Sequence, residues 1–87
     1  MNRDEAIACL HQYLDDLEAV GYTALTRRVG EDQAFEMRSE IGMVYQLEVS
    51  ILWDGKPGGA IRIIGSIDDG GLSAFLPLTD SRLVEPC

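Results

Sequence analysis

Little in this chain is basic. Fifteen aspartates and glutamates stand against 7 lysines and arginines, and the net charge is −8. A phosphate backbone would be repelled, so no nucleic-acid partner is expected, and an anionic membrane surface is disfavoured for the same reason. Six of the seven bases are arginine, and they are scattered rather than gathered into a patch. Long apolar runs are missing as well. No stretch approaches the ~20 residues that cross a bilayer. The opening MNRDEAIACLHQYLDD is too polar for a secretory signal. The expected compartment is the cytoplasm. Cysteine is scarce: Cys9 and Cys87 form no C-x-x-C pair. In a reducing compartment they read as a half-buried helix thiol and an exposed terminal one. A bridge between them would need the C-terminus to lie against the first helix. The single histidine, His11, has Asp15 at i+4, within pairing reach. Two ligands fall one short of a minimal zinc site, so no metal or other cofactor is expected. No serine or second acid is tied to His11 by spacing, so no catalytic residue is assigned and the chain is not expected to be an enzyme.

What is present suits one small domain. With 87 residues, 46% of them hydrophobic and 25% charged, residues 1–87 form a single soluble unit with one modest core. The pattern predicts a helix over 3–20. Asn2 is an N-cap candidate with Glu5 in capping-box position, and Asp4 and Glu5 suit the positive end of the dipole. Ile7, Leu10, Leu14 and Leu17 make one apolar stripe, and Gly21 is placed to stop the helix in the left-handed conformation. After Gly21 the period changes to 2. YTALTRRV (22–29) reads as a strand, and QAFEMRSEI (33–41) as another with Phe35, Met37 and Ile41 on one face. MVYQLEVSILW (43–53) alternates most clearly, with Met43, Tyr45, Leu47, Val49, Ile51 and Trp53 together.

Two glycine clusters follow, in WDGKPGGAIRIIGSIDDGGL (53–72). Neither matches a phosphate loop or a calcium loop in spacing. Both read as turns. Pro57-Gly58 centres one turn, closed by Asp54 against Ala60, which sets Trp53 opposite Ile61 and Val49 opposite Gly65. Asp69-Gly70 reads as a tight hairpin, which would pair Ile67 with Leu72, Gly65 with Ala74, Ile63 with Leu76 and Ile61 with Leu78. The tail is read as adding a short edge strand near Arg82–Val84.

The expected fold is α+β: an N-terminal helix packed on one face of a five-stranded antiparallel meander sheet. In element order alone this arrangement resembles the curled, cystatin-like or NTF2-like style of architecture. A helix about 27 Å long and ~10 Å wide cannot cover a flat sheet of that size. The sheet would curl, with Gly65 as a bending point, or the uncovered part would form a cleft, or a second copy would cover it. Phe35, Tyr45 and Trp53 are the candidate cleft residues. Leu52, Ile64 and Phe75 form a candidate apolar patch on the opposite face, for a homodimer or another partner. Asp15, Asp16 and Glu18 crowd the wrong end of the helix dipole without evident compensation, a candidate contact for a basic partner. The expected function is a small acidic protein-interaction module: an adaptor, an inhibitor or an immunity-type protein for a basic partner. The alternatives are a small-ligand cleft between helix and sheet, or a structural homodimer.

Overall fold

A computed structural model describes residues 3–70 and 77–86. Helix α1 (Arg3–Val20) leads into a single turn of helix, α2 (Tyr22–Thr26). Four strands follow: β1 (Asp32–Arg38), β2 (Val44–Trp53), β3 (Ile61–Asp68) and β4 (Leu78–Val84). They pair antiparallel in the order β1-β2-β3-β4, an open meander. Both helices bury side chains on one face of this sheet.

Helix α1 forms where the spacing predicts. It buries Ala6, Leu10, Leu14 and Leu17, while Ile7 is half-buried. Gly21 ends the helix at a positive φ of 94°, but its ψ of 155° is extended rather than the left-handed helical conformation expected; its N–H donates to the Glu18 carbonyl at 3.2 Å. The N-cap assigned to Asn2 lies outside the described residues.

The segment 22–29 is helix and turn rather than strand. Leu25 of α2 is fully buried and anchors it. The Tyr22 hydroxyl is shared between the carbonyls of Gly59 (2.8 Å) and Gly58 (3.0 Å), pinning the glycine loop to α2. Among the described residues the sheet therefore has four strands, not five. β1 ends at Arg38, so Ile41, expected on its buried face, sits in a turn at 70% exposure. Opposite β2, Gly30 and Glu31 share Ile51: the Gly30 N–H donates to the Ile51 carbonyl, and the Ile51 N–H to Glu31. This bulge marks the start of β1.

The β2–β3 register is the expected one. Trp53 opposes Ile61, Val49 opposes Gly65, and the Asp54 N–H donates to Ala60 O at 2.9 Å. The β3–β4 register is not. Ile67 pairs with Leu78, Gly65 with Asp80, Ile63 with Arg82 and Ile61 with Val84. The strand opposite β3 is thus the tail segment read as a minor edge, and the tight hairpin at Asp69-Gly70 does not form. Its proposed partners Leu72, Ala74 and Leu76 lie outside the described residues. Near the end of β3 the Asp68 side chain accepts the Gly70 N–H at 2.7 Å, and Gly70 takes φ 81°. That is the aspartate's own turn chemistry, one residue earlier than a two-residue hairpin requires.

Gly65 has a different role from the one its sequence suggests. A Cβ there would lie 2.8 Å from Leu10 Cδ1 and 3.2 Å from Leu14 Cδ2. The glycine lets α1 settle against β3. The helix rests over β3 and β4, at one side of the sheet. Tyr45, Leu47, Val49 and Ile51 of β2 complete the core.

Candidate binding groove

Because α1 lies over β3 and β4, the inner face of β1 has no helix directly above it. What results is an open groove of about 420 Å³ between α1 and the end of β1. Ala8, Cys9, Tyr13 and Met37 supply its apolar walls. Glu5, Asp16 and Glu40 bring carboxylates to it, and the end of β1 at Arg38 and Ser39 closes it. Tyr13 also stacks on Phe35, with ring centroids 5.0 Å apart at 50°.

Beneath the groove Tyr45 is fully buried and donates its hydroxyl to Glu5 Oε1 at 2.7 Å. Burial, then the Glu5 carboxylate, push its phenol up to about 12. Burial likewise raises the Cys9 thiol, helped by Glu5 and Glu40. A thiol held protonated is a poor nucleophile, so Cys9 serves the groove as an apolar wall.

The three candidate cleft residues are not brought together. Phe35 touches the groove through Tyr13, and Tyr45 lies beneath it. Trp53, at the opposite end of β2, pairs with Ile61 and is partly buried against the core.

The acidic helix end has the compensation that the sequence hides. Arg82 of β4 reaches Asp15 through Nη2 at 3.1 Å and Glu18 through Nε at 3.1 Å. Its buried Nη1 lies 4.0 Å from Asp80, too far for a hydrogen bond, and has no hydrogen-bond partner among the described residues. His11 pairs with Asp80 at 2.9 Å, not with Asp15 as the i+4 spacing suggests. Of the three acids only Asp16 faces the groove, and it accepts a hydrogen bond from Gln12 at 3.0 Å.

On the opposite face of the sheet Ile64 pairs with Ser81, so the expected pairing with Phe75 is overturned; Phe75 itself lies outside the described residues. Leu52 and Ile64 are 38% and 39% exposed there, and Leu83, which the sequence reading missed, is 44% exposed. Arg62 sits between Leu52 and Leu83 in the ladder and bonds Asp54 at 2.6 Å. The apolar side chains are therefore interrupted by a charge.

Among the described residues no cluster of histidine, cysteine and carboxylate could hold a metal ion, and no helix is long and apolar enough to cross a membrane. No protein family matches this chain, nor does any curated protein or solved structure.

Proposed function

We propose that this chain is a non-catalytic, cytoplasmic protein-interaction domain whose α1–β1 groove takes a short basic segment of a protein partner. One observation carries the reading: the groove joins apolar walls from Ala8, Cys9, Tyr13 and Met37 to the carboxylates of Glu5, Asp16 and Glu40. Such a surface suits a lysine or arginine side chain, whose stem is apolar and whose head is cationic. The net charge of −8 draws a basic partner from a distance. The likeness to cystatin-like or NTF2-like architecture rests on element order and carries no argument about function.

The test is capture of partners from the source lysate on the immobilised protein, eluted in steps of rising salt. Wild type is expected to retain a basic protein that salt releases. The variant Asp16→Lys with Glu40→Lys is expected to lose it. Retention of the same protein by both forms would refute the groove.

A second reading is favoured by the groove's volume, which falls in the range of small-molecule sites, ~300–1,000 Å³. Native mass spectrometry of freshly purified protein separates the two: a retained small molecule speaks for a ligand site, and a bare chain for the peptide groove.

A further inference from the structure

The first strand of the sheet has only one neighbour. Among the described residues β1 pairs with β2 and with nothing on its other side. The ladder says which of its backbone groups face outward. At one end the Ser39 N–H donates to Met43 O at 2.8 Å, and at the other the Ile51 N–H donates to Glu31 O at 3.0 Å. Bonded pairs alternate along an antiparallel ladder. Gln33, Phe35 and Met37 therefore direct their N–H and C=O groups to β2. Asp32, Ala34, Glu36 and Arg38 direct theirs to the open edge, a ready template for another strand.

The side chains choose that strand. We infer that β1 pairs antiparallel with β1 of a second copy of this chain about a two-fold axis at Phe35, joining two four-stranded sheets into one. In this register Asp32 faces the second copy's Arg38, twice by symmetry, and Ala34 faces its Glu36. The neighbouring registers fail on charge. Sliding two residues one way sets Asp32 against Glu36 of the other copy; sliding the other way sets Glu36 against itself. Like charges directly opposite are destabilising, and opposite charges help. Arg38 supports the assignment: it is exposed and makes no ion pair among the described residues. Phe35 would meet its symmetry mate in a non-hydrogen-bonded pair, where side chains approach most closely. It is half-buried, and the helix above it is displaced toward β3 and β4. The other edge offers less, because the charged residues of β4, Asp80 and Arg82, are engaged by α1. This pairing does not depend on the groove reading. One strand is a smaller contact than the ~1,600 Å² of a standard interface, so the dimer is expected at micromolar concentrations and above.

Sedimentation across a concentration series tests it. Asp32→Arg sets arginine against arginine, and Arg38→Asp sets aspartate against aspartate. Each single variant is expected to associate on the order of tenfold more weakly. The double variant Asp32→Arg with Arg38→Asp is expected to recover the wild-type dimer. Ala34→Pro deletes an outward N–H and leaves the β2 ladder intact, so it is expected to be a folded monomer by circular dichroism. A wild type monomeric at millimolar concentration overturns the inference. So does a dimer of undiminished affinity in the single variants or in Ala34→Pro, or a double variant no tighter than the single ones.

Discussion

Gly65 and Tyr45 show how single positions set the packing here. Adding one methyl at Gly65 must push Leu10 and Leu14 away from β3. Gly65→Ala is expected to lower stability by about 1–3 kcal/mol, read from urea unfolding midpoints, although alanine normally stabilises a strand relative to glycine. The β3 pattern makes Gly65 visible as an exception, but only the helix above it supplies the reason. Tyr45 titrates in the fold near 12, against 10.0 for an ordinary phenol. The unfolded chain therefore loses its proton first as pH rises. The stability that the buried phenol contributes is complete below pH 10.0 and falls through the interval up to about 12, by roughly 3 kcal/mol in all. Guanidinium unfolding at pH 9 and pH 11.5 checks this, with Tyr45→Phe expected to remove that part of the pH dependence.

The strand β4 is held by a mixed surface: Leu78 and Val84 bury apolar area, while Asp80 and Arg82 meet the helix by charge. Arg82 is 23% exposed and touches three carboxylates that would otherwise repel one another. Arg82→Leu is expected to cost about 1 kcal/mol, less at molar salt, where exposed pairs are screened. This mixed surface also explains why β4 is hard to read from sequence. A strand whose inward positions run Leu, Asp, Arg, Val breaks the apolar alternation, whereas the segment after Asp69-Gly70 keeps it and carries a strong local turn signal. Tertiary charge pairing outweighed local turn chemistry. The missed helix α2 has another cause: one turn is too short to display a helical period, and its single anchor, Leu25, fits either pattern. The long signals, α1 with its apolar stripe and β2 with its strict alternation, were legible because each repeats several times. The sequence leaves open whether the uncovered area curls away, forms a cleft or meets a second copy, and it does not single out the residues that line the groove. They depend on the sideways offset of α1, which Gly65 and Arg82 impose from the far half of the chain. At β1 the outward and inward amides should differ in hydrogen exchange. In dilute protein Ala34, Glu36 and Arg38 are expected to exchange faster than Phe35 and Met37, and to slow as concentration rises.

At the scale of the whole molecule, charge and topology act together. A net charge of −8 predicts that capture of a basic partner is fast at low salt and slows steeply as the Debye length falls from ~10 Å at 0.1 M toward ~3 Å at 1 M. Stopped-flow association rates across a salt series would show it, and a flat profile would point to an uncharged ligand. Topology bears on how the protein is made. Helix α1 is synthesised well before the strands beneath it, β3 and β4. A growing chain therefore carries Leu10, Leu14 and Leu17 without their β3 and β4 partners until those strands emerge, and the nascent chain should be a client for chaperones that hold apolar helices.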